Sequence, residues 1–198
     1  RAESDKASFN ALAQSLEESF RTGTPGIVRP SVKRVALFVD VYEKRFDPTL
    51  IDAAVAVLER SGVRTRVLRR PHDSGQTAFA IGDMVRAERA ARRNVVTLRE
   101  AMRDGAAIVT LEPAAALCIL KDYPYFNADP EACAVYANTS DFFTYLAKLD
   151  SRGEFNRDDL RPIPGIRTLG YHAPCTALAL SGAALAVPTN AQKMLDAI

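Results

Sequence analysis

The sequence predicts an α/β fold: an open, mostly parallel sheet with helices on both faces and an appended N-terminal helix. Three observations lead there. From Val32 onward, β-rich apolar runs alternate with segments of helical spacing. The first of these runs is apolar at consecutive rather than alternate positions, the pattern of a strand buried on both faces. Asp-Pro or Glu-Pro pairs at 47–48, 112–113 and 129–130 open helices, and Gly62, Gly105 and Gly153 stand past helix ends. Strands joined through helices imply right-handed crossovers and parallel pairing.

Taken in order, Phe9, Leu12, Leu16 and Phe20 recur at helical spacing and predict an amphipathic helix over residues 7–21, followed by the linker RTGTPGIVRPS. Residues 1–31 are thus a helix and linker apart from the main body. VKRVALFVD is the first strand. Asp47-Pro48 caps the helix TLIDAAVAVLER, and VRTRVLRR is the second strand. After a glycine-containing loop, residues 82–104 form a long helix, and AAIVTL is the third strand. Glu112-Pro113 opens a helix running to about Tyr123, and residues 130–152 read as one or two further helices. IRTLGYH is the expected fourth strand, with Pro174 as first-turn proline of the next helix. The tail SGAALAVPTNAQKMLDAI reads as a turn or short strand and a final helix.

With 198 residues the chain can bury a core without disulfides. Its 26 basic and 24 acidic residues leave a formal charge of +2, so no global field recruits nucleic acid or an anionic membrane. Cys118, Cys133 and Cys175 are odd in number and contain no Cys-x-x-Cys, which points to a reducing compartment, the cytoplasm, and away from a zinc site of these cysteines alone. No apolar run reaches the length of about 18–20 residues a membrane span needs, so direct membrane insertion is not expected. The first residue is Arg1 rather than methionine, which suggests a processed product or a piece of something longer.

Ligands of open α/β sheets gather outside the carboxyl ends of the strands. The shortlist is therefore residues 40–42, 72–76, 112–116 and 172–176. Cys175, near the second position of its helix, is either a ligand or reactive thiolate favoured by free N–H groups, or an inert half-buried thiol. His172 can ligate or move protons, or can satisfy a backbone group. In PHDSGQ the glycine pattern matches neither a Walker loop nor a dinucleotide fingerprint, so Asp73, Ser74 and Gly75 read as a turn. Asp40 and Glu112 are paired carboxylates if their loops converge; otherwise Glu112 caps its helix. An enzyme using His72, Asp73, Glu112 and His172 in the crevice is a further alternative. Arg86, Arg89 and Arg93 share one helical face, with Arg92 beside it. Without aromatic platforms this is a solvated face or a patch for an acidic partner, not a nucleic-acid site. Phe142, Phe143, Tyr145, Leu146 and Leu149 are assigned to the core.

The progression VALFVDVY, DPTLIDAAVAVLERSGV, GDMVRAERAARRNVVTL, IVTLEPAAALCILKDYP and GYHAPCTALAL resembles the cysteine-rich CCG domains of heterodisulfide-reductase and glycolate-oxidase iron–sulfur subunits. The version fused to FAD-linked oxidases of D-2-hydroxy acids is the nearest. The likeness spans residues 32–182 and implies a first repeat over 32–165 and the start of a second over 166–198. In that family a cysteine after the first strand, a Cys-Cys-Gly turn and a Cys-x-x-Cys hold an iron–sulfur cluster. Here Val41, Asp73-Ser74-Gly75, and Glu112 with Ala115 stand at those positions, and only the glycine survives. The resemblance therefore implies a degenerate first repeat with no cluster in this chain alone. Cys175, in the Tyr-His-x-Pro-Cys of the second repeat, is the one metal ligand retained, and His172, Asp73 and Gly75 are carried over as residues of the cofactor site. An iron–sulfur cluster and FAD are expected only in the intact protein or complex, with a flavoprotein module as partner. The resemblance thus implies a non-catalytic part of an FAD-linked 2-hydroxy-acid oxidoreductase with an electron-transfer or subunit-docking role, cytoplasmic or peripheral to the inner membrane through that partner; the alternative is a cofactor-free regulatory or interaction module that keeps only the scaffold.

Overall fold

A computed structural model of the chain describes residues 33–68, 73–157, 164–165, 168, 170–180 and 186–195. The predicted helix over 7–21 and its linker lie outside the described residues. The described residues belong to one compact unit, Val32–Ile198.

Four parallel strands form the sheet: β1 (Arg34–Phe38), β2 (Arg64–Val67), β3 (Ala107–Thr110) and β4 (Thr139–Asp141), in the spatial order β2-β1-β3-β4. Leu37 is opposite Val67 on one side and Val109 on the other, so β1 is hydrogen-bonded along both edges. Helices α1 (Val41–Phe46) and α2 (Pro48–Arg60) connect β1 to β2; α3 (Gln76–Ala80) and α4 (Met84–Arg103) connect β2 to β3. Between β3 and β4 come α5 (Pro113–Leu117), a π-helical turn over Cys118–Asp122, a 3₁₀ turn over Tyr123–Tyr125, and α6 (Pro130–Ala137). Helices α7 (Phe142–Ser151), α8 (Cys175–Leu180) and α9 (Ala186–Leu195) follow.

The pleat sorts β1 between two cores, because successive strand side chains point to opposite faces. Ala36 and Phe38 join Ile108 and the inner sides of α4, the π turn and α6. Val35, Leu37 and Val39 join Val109, Ala54 and Leu58 of α2, Leu146 and Leu149 of α7, and Met194 of α9. The sheet is covered on both faces, as its consecutive apolar residues predict. Phe142, Phe143 and Tyr145 pack, partly buried, against the second cluster. Capping starts the helices where the sequence places them: Asp47, Asp83, Asp129 and Asp141 each accept a hydrogen bond from a backbone N–H three residues on.

The fourth strand corrects the sequence reading. It is Thr139–Asp141, inside the stretch expected to be helical, and pairs with β3 through Ile108 to Thr110. In IRTLGYH the described residues Thr168 and 170–172 are not strand. The sheet edge beside β3 is already filled by β4, and the Asn138 carbonyl accepts the Ile108 N–H (3.0 Å) to begin that ladder. The turn from α6 is made by Asn138, whose side-chain amide donates to the Ala106 carbonyl (2.9 Å). Helix α8 starts at Cys175 and the Pro174 carbonyl accepts from Ala177 and Leu178, so Pro174 precedes the first turn and Cys175 is its first rather than second residue.

Candidate functional site: a carboxyl-floored crevice at the strand ends

The connection after β1 leaves toward β2, whereas β3 lies on the other side of β1. Helices α2 and α4 consequently cover opposite faces and diverge, which opens a crevice at the carboxyl ends of β1 and β3. This cleft, of about 420 Å3, is lined by Asp40, Val41, Tyr42 and Phe46 after β1, residues 73–78 before and within α3, Ile81, Arg86, and Glu112 and Ala114 after β3.

Asp40 organises its inner end. Its Oδ1 accepts the Val41 N–H (2.8 Å), capping α1, and also the Ser74 N–H (3.0 Å) from across the crevice. The Asp73-Ser74-Gly75 segment is a turn held by its own side chains: Asp73 Oδ1 accepts from Gly75 N–H (3.0 Å), and Ser74 Oγ from Gln76 N–H (3.3 Å). Gly75 adopts φ +84°, and a Cβ there would sit 2.9 Å from Ala90 Cβ of α4, so both conformation and proximity demand glycine.

Behind the turn lies a buried polar network. Tyr123 Oη donates to the Ser74 carbonyl (2.7 Å), which also accepts from Cys118 Sγ (3.4 Å). Asn94 Nδ2 donates to the Asp73 carbonyl (3.0 Å) and to Tyr123 Oη (2.8 Å). The π turn makes this reach: the Tyr123 N–H donates to the Cys118 carbonyl five residues back, and both side chains meet the turn. Burial pushes the Tyr123 hydroxyl and the Cys118 thiol well above their ordinary ranges, so both remain protonated donors.

The carboxyls are electrostatically coupled. Glu43, facing inward from α1, is 1 % exposed, and its carboxyl oxygens are closed off from solvent with the Asp40 and Glu43 backbone N–H groups beside them. Burial raises its pKa, with the nearby Asp40 charge adding to the effect and backbone N–H groups opposing it. Glu112 is pushed up to about 7, first by burial and then by the charges of Glu43 and Asp40. Asp40 and Glu112 are therefore brought together. Glu112 stands at the N-cap position of α5 but its side chain makes no capping bond, which corrects the capping role; close carboxyls and partial burial favour its protonated form instead.

Of the residues proposed from sequence, Asp73 and Gly75 line the crevice; His172 and Cys175 do not and are both exposed. His72 lies outside the described residues. Asp73 spends one oxygen on its own turn, and Gly75 serves the backbone. Sequence reasoning missed Glu43, Asn94 and Tyr123. The spacing of Asp40 and Glu43, a cap followed three residues later by an acid, is the signal that could have found Glu43. Asn94 could have been found as a polar residue on the face of α4 that otherwise buries Ala87, Ala90, Ala91, Val95, Leu98 and Ala101.

Of the positions at which the CCG resemblance puts thiolates, Val41, Asp73, Ser74 and Glu112 line the crevice, and Ala115 is buried in the core. Their donors are two carboxyls and one hydroxyl, hard oxygens unsuited to an iron–sulfur cluster. Cys118 is buried and engaged with Ser74, Cys133 is half-buried, and its thiol faces the Ala128 carbonyl at 3.6 Å. Among the described residues, no group of three or more His, Cys, Asp or Glu side chains is arranged to hold a metal ion. The crevice does not fit the cluster. Arg86, Arg89, Arg92 and Arg93 are exposed on α4, and Arg92 pairs with Glu88 (2.8 Å). Among the described residues, no helix is long and apolar enough to cross a membrane. Compared with family models, curated proteins and solved structures, the chain matches none.

Proposed function

We propose that the chain is a CCG-like domain of an FAD-linked 2-hydroxy-acid oxidoreductase that serves as a docking module and carries no cluster of its own. The observation that supports this reading is the convergence of Val41, Asp73, Ser74 and Glu112 on one crevice at the switch point of the sheet. These residues come from three separate segments, yet they occupy the positions that the resemblance assigns to thiolates. The architecture for gripping iron is kept with oxygen and carbon in place of sulfur. Electron relay through this repeat then has no carrier, and what remains is the surface.

The partner on this reading is a flavoprotein, the setting is the cytoplasm, and any membrane association is peripheral and made by the partner. Cys175, exposed at the start of α8, would be completed as a ligand only by cysteines from elsewhere in an intact protein or complex. The test is anaerobic purification of this chain with iron and sulfide analysis, followed by titration with a purified FAD-linked 2-hydroxy-acid oxidase. Flavin fluorescence anisotropy should report a complex that Cys175→Ala leaves intact. Stoichiometric iron and sulfide in the chain would overturn the cluster-free assignment, and unchanged anisotropy at saturating chain would overturn the docking role.

A further inference from the structure

The long helix α4 presents a face that neither the two cores nor the polar network uses. We propose that this face, with Phe46 and Ile81 at its N-terminal end, docks an acidic amphipathic helix of a partner protein, its carboxylates on Arg86, Arg89 and Arg93 and an apolar side chain against Phe46 and Ile81. The inference rests on the chain being a docking module and adds the surface and the partner's chemistry; it does not need the partner to be a flavoprotein.

The chain is nearly neutral as a whole, with 26 basic and 24 acidic residues, so arginines gathered on one helix make a local field. Two of those on α4 are engaged within the protein, Arg92 with Glu88 (2.8 Å) and Arg99 with Glu131. Arg86, Arg89, Arg93 and Arg103 are exposed, and their guanidinium groups make no ion pair or hydrogen bond among the described residues. Arg86, Arg89 and Arg93 share one side of the helix, at a spacing that a facing helix can match with carboxylates. Each guanidinium can take a carboxylate through two N–H donors, and arginine is the cation that protein interfaces favour. Arg86 also borders the cleft that holds Asp73 and Glu112, so Arg89 and Arg93 are the residues on which the test falls.

Apolar groups stand open among these cations. Val85 is 68 % and Val96 48 % exposed, on the same line of the helix as Arg89 and Arg92. Valine is a poor helix former, so at a solvated helical position it weakens the helix unless something covers it. Beside the first turn, Ile81 and Phe46 are 74 % and 72 % exposed and line the cleft together with Arg86. Exposed apolar side chains set among arginines are the composition of a protein interface. The same features select the partner. A second copy of this face would set arginine against arginine. A nucleic acid would use aromatic platforms among the cations, and α4 has no aromatic residue. An anionic membrane would need a continuous apolar face, whereas arginines interrupt the valines. An acidic helix with apolar side chains of its own answers both halves of the surface.

The probe is a fluorescein-labelled helical peptide with a leucine stripe flanked by glutamates, compared by anisotropy titration with the same peptide carrying glutamine for glutamate. The acidic peptide should bind about tenfold or more tightly, and the difference should shrink as salt is raised. Arg89→Glu combined with Arg93→Glu should remove most of that preference, and Arg89→Gln with Arg93→Gln should reduce it in smaller measure. Phe46→Ser should weaken both peptides alike. All three positions are exposed, so circular dichroism should show the fold unchanged. Equal binding of the two peptides, a preference that survives both arginine pairs, no binding by folded protein, or tighter binding of single-stranded DNA or phosphatidylserine vesicles would each overturn the proposal. The FAD-linked oxidase separates this inference from the reading beneath it. If the oxidase binds the doubly reversed variant as well as the native chain, its docking stands and α4 is not the face. If the oxidase does not bind while the acidic peptide binds through Arg89 and Arg93, the oxidase docking role falls and the face stands.

Discussion

Replacing Gly75 by alanine tests the packing that supports the crevice. Two separate costs are expected. At φ +84° an L side chain is strained by about 1–2 kcal/mol. The new methyl would also meet Ala90 Cβ at 2.9 Å, and since that atom is fixed to the middle of α4, the helix or the turn must move. Overpacking of this kind costs about 1–3 kcal/mol. The expected loss is therefore about 2–5 kcal/mol, or roughly 4–20 °C in Tm for a chain of this size. Urea unfolding is the assay, with a lower midpoint at unchanged m value. Gly153→Ala is the reference, because Gly153 has φ +64° but nothing within 4 Å of a built Cβ, and should show the conformational cost alone. Combining Gly75→Ala with Ala90→Gly removes the collision, so the pair should be less destabilised than the sum of the single variants by at least about 1 kcal/mol. If Gly75→Ala costs no more than Gly153→Ala, or if the two changes simply add, the contact between the turn and α4 is not what fixes the glycine.

Three further outcomes are expected. Tyr123→Phe removes the hydroxyl that bridges Asn94 and the Ser74 carbonyl, and should cost about 1–3 kcal/mol in the same unfolding assay while raising amide exchange at the 73–75 turn. For pH, a carboxyl whose folded pKa lies above its unfolded value makes the folded state hold the extra proton. The Glu112 contribution is therefore favourable below its ordinary 4.5, is lost progressively up to about 7, and is absent as a slope above that. Glu112→Gln should flatten stability between those pH values and stabilise the protein at pH 8; an unchanged profile would contradict the raised Glu112 pKa that burial, and then the Glu43 and Asp40 charges, impose. Finally, a thiol reagent should modify exposed Cys175 first, half-buried Cys133 more slowly, and Cys118 only on unfolding, read by mass spectrometry of the peptides.

Most of the architecture was legible because local and global signals agree. Asp47-Pro48 and Asp129-Pro130 fix helix starts through capping, and VALFV is buried at every position because helices cover both faces. The fourth strand was not legible. Thr139, Ser140 and Asp141 are short and polar, and their burial comes from neighbours: the Thr139 hydroxyl donates to the Val135 carbonyl, and Asp141 caps α7. IRTLGYH carries better strand composition, but composition cannot say which segment reaches the edge of β3 first. At the crevice, strand-end reasoning identified Asp40, Asp73 and Glu112, while Glu43 escaped because its importance is its burial, which depends on how α1 folds back over the strand ends. His172 and Cys175 carry the chemistry of ligands, yet neither lines the cleft that the fold provides.

The widened turn at Cys118–Asp122 has a consequence for how this protein can change over evolutionary time. It acts as a spacer whose length sets the phase of everything after it. Deleting one residue there would wind the segment back by about 100° and swing the Tyr123 phenol away from Ser74. Changes of length in this one turn should therefore be tolerated poorly.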